Sequence, residues 1–361
     1  MDDLFDVLII GGGVAGVAAA ARLSPLGKTL LVESEPALAY HASGRSAAMF
    51  LKAYGNPAVR ALNEASEDYL TRSDTGILSP RPVLLIARPG EEVAFQRESA
   101  EFGFTRISLK EARALVPILH PDRVALAAWR KDSSALDTDL LIQNFARTAR
   151  AHGAELRLNA PVSAISRDGA LWRVRAGAQE VRARRLVNAA GAWADPVAEM
   201  AGVPAIGITP YRRSMAQIPA PGELDLSGWP FIDALGERWY AKPDAGKLIV
   251  SPAEAHPMPP HDAFADDMVL AEGLARYEEM VTEPVTRVEH SWAGLRSFAP
   301  DRALVIGPDP DAPDFLWFAG QGGYGFQTAA AASQLLADLA DGRPPSLPAA
   351  VVTALSPARF R

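Results

Sequence analysis

The chain has 361 residues, which at roughly 100 to 200 residues per domain allows one large or two ordinary domains. With 48% apolar and 22% charged residues it has the composition of a folded protein, so disordered, collagen-like and coiled-coil readings lose their support. Its 36 basic and 43 acidic residues give a net charge of −7, which disfavours non-specific nucleic-acid binding, and the lack of any cysteine excludes a disulfide framework, a thiolate metal site, a thiol nucleophile and a cysteine-linked cofactor.

The N-terminus, MDDLFD, is acidic where a secretory signal is basic, and the apolar stretch after it stops at Arg22. No export signal or membrane span is read, and the cytoplasm is the default expectation. Val7 to Ile10, a glycine turn, an alanine-rich helix to Leu23, a stop at Gly27 and a second apolar run from Thr29 to Val32 predict a βαβ unit. Within it Gly11, Gly13 and Gly16 have the spacing of a dinucleotide fold: a tight turn, room for a pyrophosphate at backbone N–H groups, and close helix packing. Glu33 follows 20 residues after Gly13 and is placed to accept the hydroxyls of an adenosine ribose. The motif alone does not separate FAD from NAD. Its position at the N-terminus and the absence of a second copy favour one flavin dinucleotide.

The small, polar stretch 40 to 49 follows, in which Ser43, Arg45 and Ser46 offer donors to a pyrophosphate or flavin, or in the case of the serines plain helix caps. A helix over 58 to 71 leads to a proline-marked turn, Leu78 to Pro82, and a strand from Val83 to Ala87, where a second domain is expected to begin. Helices are predicted from Glu91 to Phe102, from Leu109 to Val116, and from Asp137 to Arg150, the last with capping acids. Strands follow at Glu155 to Leu158, Pro161 to Ile165, Leu171 to Arg175, Glu180 to Ala183 and Leu186 to Ala190. The last runs into NAAGAWAD, whose small residues suit either a cofactor's approach or a tight crossover. Between 206 and 290 a second sheet is expected, with strands at Arg238 to Ala241 and Lys247 to Ser251 around a PDAG turn. Near the C-terminus a buried strand, glycines 320, 322, 323 and 325, and a helix beginning near Gln327 place a helix N-terminus where it favours negative charge on a ligand. Arg212, Arg213 and Arg296 are the candidates for a bidentate carboxylate clamp. His41, His120, His152, His256, His261 and His290 are expected mostly at the surface, and none is a catalytic candidate. No metal site is read.

In their order GGGVAG, Glu33, SGRSAA, AYG, LSPRP, DTD, NAAGAW, RRS, KPDAG, WAGLRSF and QGGYGFQT, these motifs resemble the FAD-dependent D-amino-acid oxidase and glycine oxidase superfamily, and within it the D-arginine dehydrogenases, over nearly the whole chain. The resemblance implies an α/β fold with a Rossmann-like FAD-binding domain (1–82, 137–205 and 291–361) and an inserted α+β, antiparallel-sheet substrate domain (83–136 and 206–290). It implies non-covalent FAD, held by Gly11, Gly13, Val14, Ala15, Gly16, Glu33, Ser34, Ser43, Gly44, Arg45, Ser46, Ala47, Ala48, Val162, Ala190, Gly191, Trp193, Arg296, Gly322, Gly323, Tyr324, Gly325, Phe326 and Gln327. Arg213 and Arg296 would hold a substrate carboxylate, Tyr54 and Tyr240 would line the pocket, and the Gly323 carbonyl would meet the amine. Met49, Val83 and Glu237 would face the substrate side chain.

Two positions depart from the arginine-specific pattern: Val83 replaces a glutamate and Met49 a histidine. An unpaired cation against that wall is costly, so the expected substrate is a D-amino acid with an apolar or aromatic side chain, oxidised by hydride transfer to a 2-oxo acid and ammonia. Either a quinone or dioxygen would accept the electrons. A secondary-amine (sarcosine-like) oxidase, a 2-hydroxy-acid dehydrogenase and a non-catalytic flavoprotein subunit are the competing readings.

Overall fold

The computed structural model describes residues 4–72 and 76–361, so Met1 to Asp3 of the acidic opening lie outside the described residues. The N-terminal run forms the strand Leu4–Ile10, paired in parallel with Thr29–Val32 on one side and Gln179–Asn188 on the other. Glu155–Arg157 and Phe315–Ala319 extend this parallel core at either edge, with Val305–Pro308 antiparallel beyond the latter. Its central strands are buried on both faces, which is why they read as continuous apolar runs. The helices Val14–Leu23, Thr138–Ala151 and Gly325–Asp341 share one core cluster on one face; their many alanines allow close helix packing.

Three expectations are corrected here. The strands predicted at Glu180 to Ala183 and Leu186 to Ala190 are one strand, Gln179–Asn188. Arg184 and Arg185 interrupt the apolar pattern but not the ladder, because both are exposed while the backbone stays paired. Leu78 to Pro82 is not only a turn: Leu78–Pro80 is a strand, in a three-stranded sheet with Ser134–Leu136 and Met49–Phe50. The strand placed at Arg238 to Ala241 runs instead from Tyr240 to Asp244, and Ala245 and Gly246 turn it with positive φ values of 48° and 75°.

The second large sheet contains Val83–Ala87, Leu126–Arg130, Thr105–Ile107, Phe231–Ala234, Tyr240–Asp244, Lys247–Ser251, Thr209–Ile218 and His256–Pro257. His290–Phe298, whose residues from 291 were assigned above to the cofactor part, is paired along the whole of 209–217 and belongs to this sheet. Among the described residues no helix is long and apolar enough to cross a membrane.

Candidate active site

The first turn is built as its sequence requires. Gly11 has φ +109°, and a side chain on Gly16 would come within 1.8 Å of the Gly11 carbonyl oxygen, so the helix can approach the strand only through glycine. Gly13 precedes the helix Val14–Leu23, and Gly13, Val14 and Ala15 at its N-terminus border a cavity; Val14 N–H donates to Ser43 Oγ at 3.0 Å. Glu33 is buried and accepts from the Gly12 and Glu35 N–H groups and from Ser34 Oγ, which fixes its carboxylate and leaves lone pairs for a further donor.

Two adjoining cavities run through this region. One, of about 320 Å³, is bordered by Gly11, Gly13, Glu33, Ser34, Val162, Ala190, Gly191 and Trp193. The other, of about 380 Å³, is bordered by Val14, Ala15, Ser46, Ala47, Ala48, Met49, Tyr54, Val83, Arg213, Glu237, Tyr240, Arg296, Gly322, Gly323, Gly325, Phe326 and Gln327. Gly13, Ser43, Arg45 and Gly191 border both, so the two form one trough from Glu33 to Arg296. At the N-terminus of the helix Gly325–Asp341, Gln327 is buried with Nε2 unpartnered while its Oε1 accepts from Leu51 N–H. A glycine turn, a carboxylate 20 residues on, two helix N-termini and an orphaned amide donor fit a dinucleotide with an acceptor-rich ring such as a flavin.

The clamp comes from strand register. Tyr211 lies opposite Arg296 and Arg213 opposite Gly294, so Arg213 and Arg296 are diagonal neighbours on one sheet face. Arg213 is buried, with Nη2 3.3 Å from Glu237 Oε2 and Nε unpartnered. Arg296 Nη2 donates to the Tyr54 hydroxyl at 3.1 Å. The same face carries Met215, Tyr240 and Asp233 through successive pairings, and Phe231 opposite Val83. The Tyr240 hydroxyl sits 3.6 Å from Met215 Sδ, and its ring stacks on Phe231.

Alternation turns Arg212 to the opposite face. Its expected share in the clamp is corrected: it lies buried against Glu254, Asp266 and His256 and borders neither cavity. Arg45 borders both cavities, but its guanidinium is committed to the Ala263 and Ala293 carbonyls and to Asp262 rather than offered to a pyrophosphate. Gly16, Gly44 and Tyr324 border neither cavity. Gly44 lets the loop pass within 2.3 Å of the Ala39 oxygen, measured from where a Cβ would stand, and Tyr324 packs edge-on between Tyr54 and Phe298. His41, expected at the surface, is half-buried between Glu35 and Trp193 and borders the first cavity.

The wall expected to be apolar is mixed. Met49, Val83, Phe102, Phe104 and Phe231 are joined there by Glu98 and Asp233, which the sequence reading missed. Burial, reinforced by the negative charges of Glu98 and Glu237, holds Asp233 well above the usual carboxylate range against the opposing pull of Arg213. Burial likewise raises Glu98, partly offset by a hydrogen bond from Gly236 N–H. Both shifts favour the uncharged acid. Burial also raises the Tyr240 hydroxyl, so it acts as a neutral donor.

A trough of this shape on this two-sheet fold fits a dinucleotide-binding flavoprotein. Residues 6–339 match the family model described as FAD dependent oxidoreductase, and the chain belongs to that family, with FAD as its cofactor. Rat (Rattus norvegicus) mitochondrial dimethylglycine dehydrogenase is 26% identical over 380 residues, covering 95% of this chain. The chain spans less than half the length of that protein and of its mouse and human counterparts. N-methyl-L-tryptophan oxidase of Citrobacter koseri is 24% identical over 370 residues, covering 95% of this chain and 96% of that one. Among solved structures, glycine oxidase from Geobacillus kaustophilus superposes with a TM-score of 0.82 at 21% identity, over 97% of this chain and 98% of that one. L-proline dehydrogenase from P. horikoshii does so with a TM-score of 0.82 at 22% identity, over 100% and 98%.

Proposed function

We propose that the protein oxidises free D-amino acids with apolar or aromatic side chains to 2-oxo acids and ammonia. The observation that carries this reading is the pairing of Arg213 and Arg296 on one sheet face, with Tyr54 and Tyr240 beside them and the apolar side chains of Met49, Val83, Phe102, Phe104 and Phe231 in the same cavity. The two guanidiniums receive the substrate carboxylate, with Glu237 releasing Arg213 as it binds. Tyr54 and Tyr240 orient the bound acid, and the Gly323 carbonyl accepts from the amine, which reacts in its neutral form. Bound FAD supplies the two-electron acceptor for the hydride that leaves the α-carbon, without a covalent link. The resulting imino acid takes up water and releases ammonia.

Met49, Val83, Phe102, Phe104 and Phe231 accept an apolar side chain, and the raised pKa values of Asp233 and Glu98 shift both acids toward their uncharged forms. The division into a cofactor part and a substrate part follows the two large sheets. A second reading, oxidation of an N-methylated amino acid, draws on the activities for which the dimethylglycine dehydrogenases and N-methyl-L-tryptophan oxidases among the relatives are named. Product analysis separates them. The first reading requires equimolar ammonia and 2-oxo acid from D-phenylalanine or D-leucine; turnover confined to N-methylated substrates would overturn it.

A further inference from the structure

The strand Tyr240–Asp244 carries a second polar side chain on the face of Tyr240, two residues further on. Lys242 is buried at 9% exposure, and its Nζ donates to the Ala47 carbonyl at 2.9 Å and the Ala48 carbonyl at 3.4 Å. Those carbonyls belong to the segment 46–54, which spans both ends of the larger cavity: Ser46, Ala47 and Ala48 at the cofactor end, Met49 at the side-chain wall and Tyr54 against Arg296. The segment's other ties are spread along it: Leu136 N–H donates to the Ala48 carbonyl, Met49–Phe50 forms a two-residue strand on Ser134–Leu136, Leu51 N–H donates to Gln327 Oε1, and at the far end buried Asn63 Nδ2 donates to the Lys52 and Tyr54 carbonyls.

A buried ammonium whose hydrogen bonds go to neutral carbonyls is a costly way to fill space. Nearby Asp244 and Asp137 favour its charge and Arg81 opposes it, while burial lowers its pKa. Apolar filler of the same length would avoid that cost, whereas three rotatable donors on one point charge can fix two adjacent carbonyls at once.

We propose that Lys242 is a positioning residue of the active site: it straps the Ala47–Ala48 end of the segment 46–54 to the substrate sheet and thereby sets the place of Met49 over the cavity. This rests on the proposed substrate site for its consequence, but the strap is testable without any substrate. The experiment compares the parent holoprotein with Lys242→Met and Lys242→Arg by hydrogen exchange, and titrates each with benzoate, an amine-free carboxylate, following the visible flavin absorbance. In Lys242→Met, exchange in 46–54 should rise at least tenfold while the strand Val83–Ala87 and the helix Gly325–Asp341 stay as in the parent, and benzoate should bind about tenfold more weakly. Lys242→Arg, which keeps donors, should restore both to within threefold. Should methionine prevent folding, Lys242→Gln is expected to give the same local acceleration. Unchanged exchange in 46–54, or a uniform rise over the whole chain, overturns the strap. Unchanged exchange elsewhere with local acceleration supports it even where no amino acid is turned over.

Discussion

Gly323→Ala isolates the clamp from the rest of the fold. A Cβ built on Gly323 stands 2.2 Å from Arg296 Nη2, 2.9 Å from its Cζ and 3.0 Å from its Nε, so the guanidinium packs directly against the glycine, Nη2 nearest. Gly323 is not in the left-handed region, and alanine is therefore free to adopt its backbone conformation. The conflict is with the far end of a flexible side chain, so the fold survives and the guanidinium moves. Restoring an ordinary contact of about 3.5 Å from 2.2 Å displaces it by about 1.3 Å. That breaks its 3.1 Å bond to Tyr54 and misaligns it with a bound carboxylate. A displacement of about 1 Å in a positioning group costs on the order of a hundredfold, or about 2.7 kcal/mol of transition-state binding. Steady-state kinetics should show kcat/KM down by about 100-fold, mostly through KM, with thermal unfolding within a few degrees of the parent. A kcat/KM within threefold of the parent would refute the placement of Arg296 over Gly323.

Glu33→Ala removes the acceptor of the Gly12 and Glu35 N–H groups and should weaken FAD binding at least about tenfold, since each hydrogen bond to a charged group contributes about 1.5–3 kcal/mol. Titrating apoprotein with FAD checks this, and an unchanged affinity would remove Glu33 from the site. Asp233→Asn tests the half-buried acid at the side-chain wall. Because burial raises its pKa in the folded chain, the stability that its protonated form contributes is fully present below the ordinary carboxylate value and is lost as pH rises through the folded value. The stability difference, variant minus parent, should therefore grow as pH rises above the ordinary carboxylate range; a difference flat in pH would show that folding does not raise the Asp233 pKa.

The sequence was most legible where contacts are local. The run from Val7 to Glu33 carries its strand, turn, helix and terminal acid within 27 residues, and each is where the spacing places it. Asp137 likewise caps its helix through Leu140 N–H, as a leading acid should. Long-range pairing was not legible. Only the register of 209–217 against 290–298 distinguishes Arg213, which faces the cavity, from Arg212, which does not. Asp233 and Glu98 were missed for the same reason: a short strand, Phe231–Ala234, and a polar-looking helix, Glu92–Phe102, meet over the cavity only through the second sheet. Arg45 read as a phosphate ligand because its neighbours are polar and small, yet its partners Asp262, Ala263 and Ala293 lie more than 200 residues away.

The most direct test is to mix the oxidised holoprotein anaerobically with D-phenylalanine, D-leucine and D-methionine, their L-enantiomers, D-arginine, D-lysine, sarcosine and 2-hydroxy acids, and to follow the visible flavin absorbance. The account predicts rapid bleaching by the apolar D-amino acids and slow or no bleaching by the basic ones. Preferential bleaching by D-arginine or D-lysine, or bleaching by sarcosine alone, would contradict it.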